Sequence, residues 1–190
     1  MTKLNQYFWL CLSLLILVGG LFFVLRPYFK ITPAVPMDYQ QTVYRYAKEY
    51  ELSPALVFAV IKTESNFDPK ARSKKDAYGL MQITEETLQW AILREGKNAV
   101  YTAEDLYDPE VNIRYGCYIL KLFTEEFQDT KTALAAYNAG RSNVLKWLKD
   151  SRYSQDGITL QTTPFTETNQ YTEKVLSSYK KYSEMLGETV

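Results

Sequence analysis

One carboxylate in this chain stands where its type and spacing could do acid chemistry. Ser53-Pro54 reads as a helix start, a hydroxyl N-cap followed by proline at the first helical position, where the missing N–H costs nothing. From there Val57, Val60, Ile61 and Glu64 recur at helical spacing, which puts Glu64 on the apolar face near the carboxyl end. Desolvation against apolar neighbours and the partial negative charge of the helix terminus both favour its protonated form. A carboxyl kept neutral near working pH can give a proton to a leaving group, which is general acid catalysis. The competing reading of the same spacing is an exposed last turn beside Lys62 with no chemistry at all.

The composition narrows what else could act. The chain has 190 residues, zero formal net charge and no histidine, so Ser-His-Asp and Cys-His nucleophilic sites and most zinc sites are excluded. Acid–base work falls to Asp, Glu, Lys or Tyr. Asp68 and Asp76 are the nearby candidates for a second carboxylate, but both lie in a Lys-rich polar stretch that reads as solvated loop. No acid cluster with metal-ligand spacing is visible, and neither a metal nor a cofactor is expected. The balanced charge argues against nucleic acid, which asks for a basic face. Cys11 and Cys117 have no plausible disulfide partner and read as small apolar residues.

The elements that must position Glu64 follow from periodicity. Residues Tyr7 to Leu25, YFWLCLSLLILVGGLFFVL, form an uncharged run long enough to cross a hydrocarbon core of about 30 Å. It predicts an uncleaved single-pass anchor over residues 1–26, since no A-x-A-like site closes the run. Pro27, Pro33 and Pro36 stiffen a short stalk over 27–37, and residues 38–190 form the domain. That domain reads as consecutive helices without a convincing strand: Asp38 to Glu51; Ser53 to Glu64; one capped by Thr84 through Leu88, Trp90 and Ile92; one opened by Asp108-Pro109 with Val111, Tyr115, Tyr118, Ile119 and Leu122 as its stripe. Thr132 to Asn138 follows, ended by Gly140, then a helix from Ser142 and a last one through Tyr171, Val175, Tyr179, Tyr182 and Leu186 to Gly187. Asp150 to Pro164 reads as a loop long enough to be suspected of function.

Four stretches then become recognisable. ESNFDPKARSKKDAYGLMQI (Glu64 to Ile83), LYDPEVNIRYGCYIL (Leu106 to Leu120), AAYNAG (Ala135 to Gly140) and PFTETNQYTEKV (Pro164 to Val175) together resemble the catalytic domain of soluble-type peptidoglycan lytic transglycosylases, over roughly residues 40 to 182. The resemblance implies an all-α, lysozyme-like (goose-type) helical domain, here behind a single N-terminal transmembrane helix. It implies that Glu64 is the catalytic acid, that Ser73 and Gln82 face the cleft, that Tyr137 and Asn138 line it near the acid, and that Glu167 helps bind the sugar backbone. Beside the resemblance, Gly79 would let backbone approach a ligand, or is a plain turn glycine. Tyr78, Tyr137 and Tyr171 could stack on sugar faces or be core residues, and Met81 could line a sugar subsite or be packing. Asn138 could hydrogen-bond an acetamido group or end a helix.

The resemblance also implies a route with one glutamate and no second carboxyl, cleaving the bond between N-acetylmuramic acid and N-acetylglucosamine to leave 1,6-anhydro ends. Two alternatives stand beside it: a muramidase hydrolysing the same bond with water, and a catalytically silent peptidoglycan-binding scaffold. The substrate implied places the domain on the extracytoplasmic side of a bacterial membrane, with glycan strands as partner and cell-wall remodelling or envelope-spanning machinery as further partners.

Overall fold

Side chains that accept from the first turn set where several of the helices begin. The computed structural model describes residues 36–188 and, ahead of them, Trp9, Leu12, Leu15, Ile16, Leu17 and Gly20. Asp108 accepts from the Glu110 amide at 2.8 Å and Pro109 follows it, opening the long helix. Ser53, Thr84 and Asp129 cap three others by accepting from the amides of Leu56, Thr87 and Thr132. The helices are α1 (Gln40–Glu49), α2 (Pro54–Glu64), α3 (Glu85–Glu95), α4 (Pro109–Phe127), α5 (Thr130–Ala139), α6 (Arg141–Trp147) and α7 (Thr166–Leu186), with a 3-10 turn at Glu104–Tyr107.

The core runs around α2, which is not the one-faced helix that its spacing predicts: every residue from Ala55 to Ile61 is buried. Helix α7 packs along it, and Phe58 of α2 stacks on Tyr182 of α7 at 5.5 Å between ring centroids. Helix α4 packs against α1 and α5, and its buried set is shifted from the expected stripe. Val111, Tyr118 and Leu122 are only partly covered, whereas Asn112, Ile113, Gly116, Cys117, Leu120, Phe123 and Phe127 are inside. Burial of the Cys117 thiol pushes its pKa well up, so it behaves as a small apolar residue.

A small sheet also appears where none was expected. β1 (Ala77–Tyr78) and β2 (Ile83–Thr84) pair antiparallel, Ala77 opposite Thr84 and Tyr78 opposite Ile83. Strands of two residues are too short to show alternation in sequence. Helix α5 begins earlier than its apolar pattern suggests because Asp129 supplies the cap, and α7 begins at Thr166, ahead of its first inward tyrosine. The stretch Asp150 to Pro164 is pinned: the Leu160 amide donates to Thr132 Oγ1 at 3.0 Å, and Ser154, Leu160 and Thr163 are buried.

The chain divides into two compact units, 1–35 and 36–190. In the first, the six described residues are helical, and Trp9, Leu12, Leu15, Ile16 and Leu17 are exposed. The anchor expected over 1–26 and most of the stalk expected over 27–37 lie outside the described residues. Among the described residues no helix is long and apolar enough to cross a membrane. In the second unit Tyr182 Oη donates to the Pro36 carbonyl at 2.6 Å, tying the start of the domain to α7.

Candidate active site

The last residue of α2 is Glu64, and the chain turns away from it through Ser65, Asn66 and Phe67, the latter two at positive φ. Ser65 Oγ donates to the Leu80 carbonyl at 2.8 Å, binding the helix end to the segment between the two short strands. That segment is organised by Asn112, a fully buried amide on α4. Its Oδ1 accepts from the Met81 amide at 2.7 Å, and its Nδ2 donates to the carbonyls of Tyr78 (2.8 Å) and Leu106 (2.7 Å). Gly79 fits between them with φ +71; a Cβ there would stand 2.2 Å from the Leu106 carbonyl oxygen and 2.3 Å from Asn112 Nδ2.

These elements enclose a cleft of about 380 Å³. Glu64 lies in its wall with Ser73 and Lys75 from the loop after α2, Ala77 from β1, Gln82, Ile83, Thr84 and Thr87 from β2 and its flanks, Ile119 and Phe123 from α4, Ala136 to Gly140 from the end of α5, and Glu167 from the first turn of α7. Desolvation raises the Glu64 pKa to about 7, a nearby hydroxyl of Tyr171 opposes the rise, and the charge of Glu167 adds to it. The Tyr171 hydroxyl is buried without a hydrogen bond of ordinary geometry, so it is only a partial counterweight.

The structure brings Ser73, Gln82, Tyr137, Asn138 and Glu167 together with Glu64 around one cleft. Ser73 Oγ is occupied in shaping its own loop, accepting from the amides of Lys75 (3.2 Å) and Ala77 (3.1 Å). Gln82, at φ +49, donates its amide hydrogens to the carbonyls of Ala71 (3.2 Å) and Gly79 (2.9 Å). Tyr137 Oη donates to the Met81 carbonyl at 2.9 Å, and burial and the Glu64 charge push its pKa well up, so it stays a neutral phenol. Asn138 Oδ1 accepts from Thr168 Oγ1 at 2.9 Å. Glu167 is exposed and bridged by Lys75, whose Nζ is 3.1 Å from both carboxylate oxygens.

Three of the expected residues, Met81, Gly79 and Tyr171, are not among those that line the cleft. Met81 is fully buried against Gly116, so its side chain is packing, and its carbonyl accepts from the cleft-wall residue Tyr137. Gly79 makes its close approach to Asn112 and Leu106 and lines no cleft. Tyr171 is buried, 7% exposed, with its hydroxyl near the Glu64 carboxyl. Tyr78 also lies off the cleft, edge-on to Tyr107 with the Arg72 guanidinium over its ring. Asp68 and Asp76 are exposed, and Asp76 pairs with Arg72. Asn112 and Lys75 lie outside the site residues that the sequence suggests. A lone amide within the apolar pattern of α4 was the available signal for the first, while the second gave none apart from a lysine pair in a loop.

Comparison with known proteins gives the family and the fold. The family described as Transglycosylase SLT domain matches residues 41–159, and the chain belongs to it. It has the helical, lysozyme-like fold of that family. The soluble lytic murein transglycosylase of Escherichia coli (strain K12) is 30% identical over 155 residues, covering 80% of this chain and 24% of that protein. The membrane-bound lytic murein transglycosylase C of Shigella sonnei is 28% identical over 165 residues, covering 76% of this chain and 46% of that protein. Among solved structures, an inactive mutant of the lytic transglycosylase Slt from Pseudomonas aeruginosa superposes with a TM-score of 0.71 at 34% identity, over 82% of this chain and 25% of that one. The chain thus spans from about a quarter to under half the length of these relatives.

Proposed function

We propose that this protein is a peptidoglycan lytic transglycosylase and that Glu64 is its single acid and base. The observation that carries the reading is a desolvated carboxyl with a pKa of about 7 in the wall of an open cleft. Protonated Glu64 gives its proton to the glycosidic oxygen between N-acetylmuramic acid and N-acetylglucosamine, and the bond from that oxygen to the anomeric carbon breaks. The resulting carboxylate takes the proton of the muramic 6-hydroxyl, whose oxygen bonds to the same anomeric carbon. The product is a 1,6-anhydro end, no water is consumed, and Glu64 is protonated again. An attacking group already tethered to the reacting sugar has a large proximity advantage, so no enzyme base need activate a water.

Ser73, Gln82, Asn138 and Glu167 are proposed to bind the glycan, and Tyr137 to hold the wall beside the acid. The names of the relatives support the substrate, and an inactive mutant is among the solved ones. The muramidase alternative needs a second carboxylate or a held water; the second carboxylate that lines the cleft among the described residues, Glu167, is 70% exposed in its side chain and tied to Lys75, which disfavours the first of these. The run Tyr7 to Leu25 is proposed as a membrane anchor with the domain extracytoplasmic, supported by the exposure of its described apolar side chains and by a membrane-bound relative. From such a position the domain could serve a wall-remodelling assembly. Glu64→Gln should abolish solubilisation of purified cell-wall sacculi while the far-UV spectrum stays unchanged; undiminished clearing by the variant would overturn the reading. For the anchor, the full chain should stay with membranes through a carbonate wash, and release of a shortened form would contradict it.

A further inference from the structure

Two helices that build the cleft, α3 and α4, continue past it into a second groove. Thr87 on α3 and Ile119 on α4 line the cleft; about one turn further along each helix, Trp90 and Phe123 line a neighbouring groove of about 520 Å³, and Phe123 belongs to both. The rings of Trp90 and Phe123 stack with centroids 6.1 Å apart and planes 20° apart, so the half-buried indole is held as a firm flat surface. Around it stand Arg94, which forms no ion pair among the described residues, and the Arg141–Glu126 pair at 2.6 Å.

A fixed aromatic face rimmed by guanidinium and carboxylate groups matches a pyranose ring, whose C–H face is apolar and whose edge carries hydroxyl and acetamido groups. We propose that Trp90 is the floor of an additional sugar subsite, by which this chain holds the glycan strand beyond the sugars flanking the cleaved bond. The inference rests on the peptidoglycan reading above. Charge favours bare glycan over an acidic stem peptide, because Glu125 and Glu126 share the groove with the two arginines and leave no strong positive field. The subsite gives the enzyme a preference for longer strands.

The test is calorimetric titration of the full chain, held in a zwitterionic detergent, with a disaccharide and a hexasaccharide of N-acetylglucosamine. The hexasaccharide should bind more tightly than the disaccharide. Trp90→Ala should weaken hexasaccharide binding about tenfold and leave the disaccharide unchanged, while Trp90→Phe keeps most of the gain. In the unmodified chain the Trp90 indole N–H resonance, assigned by its loss in Trp90→Phe, should move with the hexasaccharide and not with the disaccharide, a readout that does not depend on the alanine variant folding. Equal hexasaccharide binding by the folded Trp90→Ala chain, or an unmoved resonance, would overturn the subsite alone. A Trp90→Ala loss confined to peptide-bearing strands would overturn it in favour of the stem peptide. No binding of either sugar by the folded chain would overturn the glycan reading and the subsite with it.

Discussion

Lys75 Nζ bridges both carboxylate oxygens of Glu167 at 3.1 Å, joining the loop after α2 to the first turn of α7 at the wall of the cleft that holds Glu64. Both side chains are largely exposed, so the pair itself contributes little to stability, about 0 to 1 kcal/mol before screening by salt. Its consequence is electrostatic: the Glu167 charge raises the Glu64 pKa, and by Coulomb's law a lysine 3.1 Å from that carboxylate should offset part of its charge.

Glu167→Gln therefore lowers the Glu64 pKa, and Lys75→Met raises it. If protonated Glu64 is the acid proposed above, activity should decline as pH rises through about 7 in the unmodified protein. The decline should move to lower pH in Glu167→Gln and to higher pH in Lys75→Met, read from rates of sacculus clearing against pH. Shifts in the same direction for both variants would contradict the coupling.

Glu64 itself should cost the fold stability at alkaline pH. Its folded pKa, about 7, lies above the ordinary carboxylate value of 4.5, so between these the folded state binds the extra proton and stability falls as pH rises. Above about pH 7 the loss is complete, up to about 3 kcal/mol from the size of the shift. Glu64→Gln removes it: the variant should melt above the unmodified protein near pH 8 and close to it near pH 4. Melting curves with the same separation at both pH values would contradict a desolvated acid.

Asn112 holds three backbone groups from inside the core, and Gly79 occupies space that no side chain can share. Asn112→Ala leaves the Met81 amide and two carbonyls without their partner, and should cost about 3 kcal/mol or more in urea unfolding. Gly79→Ala meets backbone as well as strain at positive φ and should cost at least as much. A loss below about 1 kcal/mol for either would mean that the turn between β1 and β2 is not held as described.

Much of this arrangement was legible in residue order. The caps at Ser53, Thr84 and Asp108 and the stop at Gly187 follow from local chemistry, and these helix ends lie where that chemistry puts them. Glu64 was visible because it ends an apolar helix. What sequence could not supply was the side on which a residue's partners stand. Met81 and Tyr171 have the chemistry of ligand contacts, yet packing across α4 turns one inward against Gly116 and packing of α7 buries the other with its hydroxyl near the acid. Asn112 is an amide whose three backbone partners lie in segments 31, 34 and 6 residues away, distances at which periodicity carries no information.

On the mechanism proposed above, Glu64 alone moves the proton while the sugar attacks itself. Mass analysis of muropeptides released from sacculi by the full chain in oxygen-18 water tests it most directly. The released ends should be 1,6-anhydro, lighter than reducing ends by one water and free of the heavy isotope, with none from Glu64→Gln. Reducing muramic ends carrying oxygen-18 would contradict it.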